Sequence, residues 1–181
     1  DALAEDHDFI ILDHPFMGEA AASQSLVPLD GIVAGEKTLF VGPSLETYRM
    51  NGKLWALPVD AACQVAVSRP DLMEKLGATP PAAWADVMKL GEAARRKDLR
   101  LAIGLKGVHS LMTFFTLMAN LGSPCALRPG VPFADSGTAQ EALRLMRQFL
   151  CFCPSQALDW NSIALHEAMA VRDDLVFCPA V

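Results

Sequence analysis

The sequence predicts an α/β fold, in which a sheet of short strands is covered by helices. Short apolar runs typical of buried strands, at residues 8–12, 100–105 and 175–178, alternate with longer stretches whose apolar residues recur at helical spacing. This alternation favours helices on the faces of a sheet. The chain has 181 residues and is 52% hydrophobic, which is enough for one large domain or two small lobes with a buried core.

The charge balance argues against two classes of partner. The formal net charge is -6, and the aromatic content is only 7%. Nucleic acids and anionic membranes require a basic surface, and base stacking requires an aromatic platform. We therefore expect neither nucleic acid nor an anionic membrane surface as a partner.

Four elements are predicted in the first part of the chain. The run DFIIL (8–12) predicts a strand, and PFMGEAAAS (15–23) predicts a helix, since proline suits a first helical turn. The Asn-Gly pair at 51–52 indicates a hairpin turn, with KLWALPV (53–59) as the outgoing strand. ACQVAVSR (62–69) alternates loosely between apolar and polar residues and predicts a further strand.

The rest of the chain is predicted to be mostly helical around two buried strands. Gly77 marks the end of the first helix of this part, and Asp159 is a candidate cap for the last one. Trp84 lies on an apolar helix face and is predicted to be a core residue. The predicted helices cover residues 70–77, 82–97, 110–122, 138–152 and 160–174.

Three polar turns follow predicted strands: Asp13-His14, Asp60, and Lys106 to Ser110. In α/β sheets, ligands bind at the carboxyl ends of the strands, so these turns are candidate ligand contacts. For Asp13 the alternative is a helix N-terminus, where the carboxylate accepts backbone N–H bonds. The two roles are compatible.

Asp60 is the most unusual of these residues because it sits between two strand-like apolar runs. Pro58 cannot donate to a sheet ladder, so the strand must be interrupted or at an edge there. A carboxylate at an interruption can accept from two vicinal hydroxyls or from an ammonium group. The alternative is a loop aspartate that bonds its own backbone. Gln64 adds an amide donor and acceptor nearby.

Further candidates lie at two predicted helix starts. His109 and Ser110 lead into the helix at 110–122, where the alternative is that Ser110 caps the helix and Lys106 is solvated. Trp160 follows Asp159 and can either stack on the C–H face of a sugar or pack into the core.

No catalytic, metal-binding or cofactor-binding motif is present. The sequence lacks a phosphate-binding P-loop and a nucleophile elbow, and its four histidines show no metal-ligand spacing. We therefore predict no enzyme, no metal and no cofactor. Of the five cysteines, Cys63, Cys151 and Cys178 lie in apolar runs and are interpreted as buried, while Cys125 is the candidate nucleophile of an alternative thiol-enzyme hypothesis.

Residues 48–94, YRMNGKLWALPVDAACQVAVSRPDLMEKLGATPPAAWADVMKLGEAA, carry the most specific pattern. They contain, in order, a Gly-Lys turn, a strand ending in Leu-Pro, a small or acidic segment, a strand ending before Asp-Leu, a proline-containing loop and a tryptophan-bearing helix. This order resembles the hinge-crossing segment of extracellular solute-binding proteins of ABC importers, in the sugar-binding family related to maltose-binding protein. Residues 9–30, 100–122 and 163–179 resemble further parts of that family.

The resemblance implies a type II periplasmic-binding-protein-like fold with two α/β lobes joined by crossing strands and incomplete at both ends. Residues 1–61 would be part of lobe I and residues 62–181 part of lobe II, with the hinge crossing near 56–64. By position, the resemblance implies ligand contacts from Asp13, His14, Asp60, Gln64, His109 and Ser110; to these we add Trp160.

The implied function is to capture a small polar solute and deliver it to an ABC permease in the membrane. Two departures from the family pattern argue against a maltose-like oligosaccharide: Ala62 and Ser110 stand where some members carry a carboxylate, and aromatic residues are few. A smaller polyol, a monosaccharide or another polar solute is left open. The implied protein is a periplasmic or extracellular monomer. A cytoplasmic ligand-sensing domain of a regulator, built on the same fold, is the main alternative.

Overall fold

The computed structural model describes residues 7–23, 25–33, 39–126 and 130–181. The chain divides into two compact units, Asp1–Cys63 and Gln64–Val181. The predicted boundary at residues 61 and 62 lies close to this division. That the units are parts of two lobes, with a hinge crossing at 56–64, stays a prediction.

The first unit contains a short helix and a hairpin. A 3-10 turn at His14–Phe16 leads into α1, Met17–Ala22, as the proline at 15 predicts. Strands β1, Arg49–Met50, and β2, Lys53–Leu54, pair antiparallel. Between them Asn51 and Gly52 have φ of 53° and 76°, the left-handed conformation that a two-residue hairpin turn requires. The predicted hairpin is confirmed.

Three predicted strands of this region are wrong or shortened. Residues 8–12 form no strand, and Phe9 and Ile11 are 92% and 84% exposed, because no described segment pairs with them. The strand predicted at 53–59 ends at Leu54, and the one at 62–69 is reduced to β3, Val67–Ser68. The alternation of apolar residues predicts a strand, but the strand forms only where another segment, far away in the sequence, supplies its hydrogen bonds.

The second unit is built around a three-stranded sheet in the order β3-β5-β4. Strand β5, Leu175–Cys178, is central and completely buried. It pairs antiparallel with β3 and parallel with β4, Arg100–Leu101. All four β5 residues face protein on both sides, which explains their unbroken apolar run.

Five helices of this unit occur where the sequence predicts them. Gly77, at φ 64°, ends the first of them in the left-handed conformation. The helices are α2, Pro70–Leu76; α3, Trp84–Arg95; α4, Val108–Asn120; α5, Ser136–Leu150; and α6, Ser162–Val171. The predicted cap Asp159 is wrong, because Asn161 immediately precedes α6 and its Oδ1 accepts from the Ala164 N–H at 2.9 Å.

The core of this unit lies between the sheet and helices α3 and α5. Phe149 and Phe152 are buried there, and Trp84 packs edge-on against Phe149 with ring centres 6.4 Å apart. Trp84 is half-buried and packs against the core, so its predicted packing role is confirmed, although it is not fully buried. Gly91 allows α3 to approach closely, since a Cβ there would lie 2.5 Å from the ring of Phe152.

The cysteine prediction is correct for one residue of three. Cys178 is fully buried in β5, whereas Cys63 and Cys151 are exposed. Cys151 lies in an apolar run, but it directly follows the last residue of α5 and faces solvent there. None of the five cysteines forms a disulfide.

Within the described residues, no helix has both the length and the apolar character that a membrane span requires.

Candidate functional site

The first polar turn leaves the carboxylate of Asp13 exposed. Asp13 precedes the 3-10 turn in extended conformation, and its carbonyl, not its side chain, accepts from the Phe16 N–H at 3.0 Å. The side chain makes no capping hydrogen bond, so the capping interpretation is wrong. Its carboxylate oxygens are therefore available to hydrogen-bond donors from solution.

His14 is held in place by the segment that precedes β1. Its Nε2 lies 3.3 Å from the carbonyl oxygen of Thr47, and its ring meets that of Tyr48 edge-on at 5.0 Å between centres. Because a carbonyl can only accept, Nε2 carries the hydrogen in this contact. The other ring nitrogen, Nδ1, is left for a further hydrogen bond.

Asp60 lies outside any sheet. Residues 55–66 have no regular secondary structure, and Asp60 is exposed there. No ion pair or hydrogen bond ties its carboxylate to the described residues, so the alternative of a loop aspartate bonded to its own backbone is wrong. Like Asp13, Asp60 is a free acceptor.

Gln64 and His109 are brought together in the second unit. Both line a narrow recess that has no space for a water molecule; its remaining lining is Gly104, Ser162, Leu165, Ala180 and Val181. The Thr116 hydroxyl donates to Oε1 of Gln64 and joins residue 64 to α4. The recess therefore collects side chains from the segment before β3, from α4 and from α6.

The third polar turn connects β4 to α4. Residues 101–105 are buried, and Gly107, at φ 57°, precedes α4. Ser110 lies inside the first turn, where its hydroxyl donates to the carbonyl of Gly107 at 2.8 Å. The prediction that Ser110 caps the helix is therefore wrong. Lys106 is exposed, and His109 is half-buried at the recess.

Trp160 packs mainly against protein. Its half-buried ring contacts two apolar clusters, and the guanidinium carbon of Arg172 lies 5.9 Å from the ring centre. Its carbonyl oxygen accepts from the N–H of Lys106 at 3.0 Å. These contacts favour the core alternative for the indole, and stacking on a sugar stays a prediction.

The carboxylates with shifted pKa lie outside the candidate residues. The Leu54 N–H and the Arg49 guanidinium lower the pKa of Asp30, and Arg69 lowers the pKa of Asp71. Burial raises the pKa of the Cys178 thiol to about 12. These groups belong to structural pairs and to the core. In the part of the chain that the structure describes, no cluster of three or more histidine, cysteine or acidic side chains could hold a metal.

Sequence reasoning missed two polar residues, Ser162, which lines the recess, and Thr116, which donates to Gln64. Thr116 lies seven residues after His109 on a 13-residue helix, which places both on the same face. That spacing was available from the sequence. The contact of this face with Gln64 was not, because it joins residues 52 positions apart.

Comparison with known proteins identifies the fold. No family model matches the chain. The chain is 29% identical over 130 residues to a protein of Brucella abortus whose name, binding protein, is provisional. The match covers 68% of this chain and 31% of that protein. The chain thus spans about a third of this relative's length.

Solved structures give a fuller match. An Agrobacterium radiobacter K84 ABC-transporter solute-binding protein in complex with ribitol aligns with a TM-score of 0.76 at 19% identity, over 98% of this chain and 47% of that one. Maltose-bound T. maritima MalE3 aligns with a TM-score of 0.75 at 17% identity, with the same coverage. This chain has the fold of ABC-transporter solute-binding proteins. A third such structure, from Thermotoga lettingae with α-D-tagatose, has a TM-score of 0.74 at 16% identity and covers 88% of this chain and 43% of that one.

The solute-binding fold confirms the predicted α/β class and the periplasmic-binding-protein type. The aligned structures are binding proteins, several of them with a bound sugar or polyol, and they do not favour the regulator alternative. The chain spans less than half of each structure named here.

Proposed function

We propose that this chain belongs to a receptor that binds a small, neutral, polyhydroxylated solute and delivers it to an ABC permease. The observation that carries the proposal is the fold, which is shared with proteins solved in complex with ribitol, maltose and tagatose. The receptor has no enzymatic activity, requires no cofactor, and acts as a monomer in the periplasm or outside the cell.

The free acceptors of the first unit support this ligand class. Asp13 and Asp60 are exposed carboxylates without partners among the described residues, and His14 leaves Nδ1 for a further hydrogen bond. Carboxylate acceptors bind hydroxyl hydrogens, and hydrogen bonds to an ionised group are about twice as strong as neutral ones. We include Asp13, His14, Asp60, Gln64, His109 and Ser110 among the ligand contacts, and Trp160 as a secondary one.

A binding screen on the full-length protein tests the proposal. The panel contains ribitol, D-tagatose and maltose, together with a neutral amino acid and a dicarboxylate. A ligand that binds only the folded state raises the melting temperature according to its concentration relative to Kd. We expect a saturable shift with a polyol or sugar, confirmed by calorimetry, and none with the amino acid or the dicarboxylate.

Two substitutions test whether the candidate carboxylates contact the solute. Asp13→Asn and Asp60→Asn remove a charged acceptor and should each weaken binding of the best panel member by about tenfold or more. Asp98→Asn is the matched control, because Asp98 is exposed and its φ of 56° suits asparagine. A shift with the amino acid or dicarboxylate alone would contradict the proposed ligand class.

A further inference from the structure

Helix α4 has apolar residues on two opposite sides. Its 13 residues, Val108–Asn120, include no aspartate, glutamate, lysine or arginine. One side, which includes Leu117 and Met118, is buried against Ala142 and Leu145 of α5. A surface helix normally turns charged or polar residues outward, so an outward side that is also apolar is unusual.

The outward side of α4 is a continuous apolar stripe. Val108, Leu111, Met112 and Phe115 follow one another at spacings of three and four residues, which aligns them on one helix face. The first three are exposed and Phe115 is half-buried. Phe133, which is also exposed, extends this face, since its ring centre lies 5.8 Å from that of Phe115. These five residues form the α4 stripe.

The α4 stripe differs from a single exposed apolar side chain. Leu143 on α5 is 56% exposed, more than Leu111 at 45%, but its neighbours on the helix face are the exposed residues Gln140 and Arg147. Isolated apolar side chains are normal on protein surfaces, whereas contiguous ones mark an interaction site. The α4 stripe therefore indicates a contact surface.

Solved proteins of this fold contain more than twice as much chain. The solute-binding proteins in complex with ribitol and with maltose are each covered to 47% by this chain. More than half of each therefore lies outside the alignment. A full-length protein of this fold thus has enough further chain to cover the α4 stripe.

Val181 lies beside the first turn of α4. Val181 and Val65 exchange two backbone hydrogen bonds, at 3.1 and 3.2 Å, which fixes residue 181 at the edge of β3. Val181 also lines the recess together with His109, which belongs to the first turn of α4. Any chain that follows Val181 therefore starts next to α4, and a short connection brings it onto the stripe.

From these observations we infer that the α4 stripe is an intramolecular docking surface, which an apolar segment of the chain following Val181 covers in the full-length protein. Permanent interfaces are more hydrophobic than transient ones. The uncharged stripe therefore fits a permanent contact better than a contact with a permease that the receptor must leave again. The inference rests on the shared fold and goes beyond the proposed function.

Thiol labelling of the full-length protein tests the inference. Leu111→Cys places a thiol on the α4 stripe, and Leu143→Cys is the matched control on the exposed side of α5. We expect iodoacetamide in buffer to modify position 111 at least about tenfold more slowly than position 143, and both positions equally fast in urea. Tandem mass spectrometry measures each position separately.

The melting temperature of two further variants gives a second readout. Leu111→Glu should lower it by several degrees, because a charge would be buried under the docked segment. Leu143→Glu should leave it nearly unchanged, since its side chain stays in solvent. If Leu111→Glu does not fold, the labelling rates of the milder Leu111→Cys still decide the question.

Three results would overturn the inference. The first is labelling at position 111 as fast as at position 143, with an unchanged melting temperature for Leu111→Glu. The second is protection of position 111 that is lost on dilution together with a dimer seen by light scattering, which would assign the stripe to a second copy. The third is protection that appears only when purified permease is added. No solute is needed in these measurements, so the outcome of the solute screen does not affect them.

Discussion

At the scale of single residues, Gly104 shows how closely two backbone segments approach beside the recess. A Cβ at this position would lie 2.9 Å from the carbonyl oxygen of Trp160 and 3.2 Å from that of Asn161. Both neighbours are backbone atoms of the segment that leads into α6, and the N–H of Lys106 bonds to that same Trp160 oxygen at 3.0 Å. This bond holds the two segments close together, so neither can shift away from a new methyl group without straining it.

We therefore predict that Gly104→Ala destabilises the protein by about 1–3 kcal/mol, the usual cost of overpacking. Urea denaturation measures the change. Gly137→Ala is the control within the same unit, because its Cβ would make only an ordinary contact at 3.5 Å and alanine favours the helix. Equal stability of the two variants would show that the segments separate easily.

At the scale of secondary-structure elements, Arg69 connects the end of β3 to the end of α6. Its Nη1 donates to the carbonyls of Met169 at 2.8 Å and Arg172 at 3.0 Å, which are among the last acceptors of α6. Its Nε and Nη2 donate to both carboxylate oxygens of Asp71. One planar guanidinium thus satisfies helix-terminal carbonyls that would otherwise lack partners.

Replacing this side chain should lower the melting temperature in a graded way. Arg69→Met removes all four bonds, and Arg69→Lys keeps the charge but cannot donate in both directions, so its effect should be intermediate. Arg144→Met is the matched control, since among the described residues Arg144 pairs with Glu141 alone, on the exposed surface of α5. Differential scanning calorimetry should show a clear loss for Arg69→Met and little for Arg144→Met.

The reactivity of each cysteine depends on how well the element around it is packed. Cys63 and Cys151 are exposed, whereas Cys178 lies in the central strand with its thiol pKa raised to about 12 by burial. Burial also raises the pKa of Cys153. Since the thiolate is the reactive form, iodoacetamide at pH 8 should label Cys63 and Cys151 first.

Mass spectrometry of the digested protein gives the measurement for each cysteine. Cys153 and Cys178 should stay unlabelled in buffer and react fully in urea, which serves as the control for accessibility. Rapid labelling of Cys178 in buffer would mean that β5 opens without global unfolding.

At the scale of the whole molecule, the acidic side chains make stability depend on pH. Hydrogen bonds and basic neighbours lower the pKa of five carboxyl groups, Asp30, Asp71, Asp135, Glu141 and Asp174. A lowered pKa in the folded state means that the unfolded state binds protons first as the pH falls. The stabilisation is present above the ordinary carboxyl value of about 4 and is lost below it.

We therefore expect the urea midpoint to be flat from pH 7 to about pH 5 and to fall between about pH 4 and pH 2. The individual effects are modest because the groups are largely exposed. Arg172→Gln removes the main partner of Asp174 and should make the fall shallower. A midpoint that rises on acidification would show that repulsion among the acidic side chains outweighs these pairs.

The helices and the hairpin could be predicted because their determinants are local. Apolar spacing predicts α3 and α5, Gly77 predicts the end of α2, and Asn51-Gly52 predicts the turn between β1 and β2. Strands 8–12 and 53–59 were overpredicted because a strand needs a hydrogen-bonded neighbour, which no local pattern specifies. Asp13 was singled out because it follows a predicted strand, and Asp60 because it lies between two apolar runs; that they contact a ligand stays a prediction.

By itself, the sequence determined the α/β class, the positions of the helices and the family it resembles, since these depend on periodicity, turn residues and short motifs. Only the tertiary structure decided that β5 is the central strand, that Gln64 meets Thr116, and that Ser162 joins His109 at one recess. These contacts join residues that are far apart along the chain, and their geometry follows from how the helices pack on the sheet.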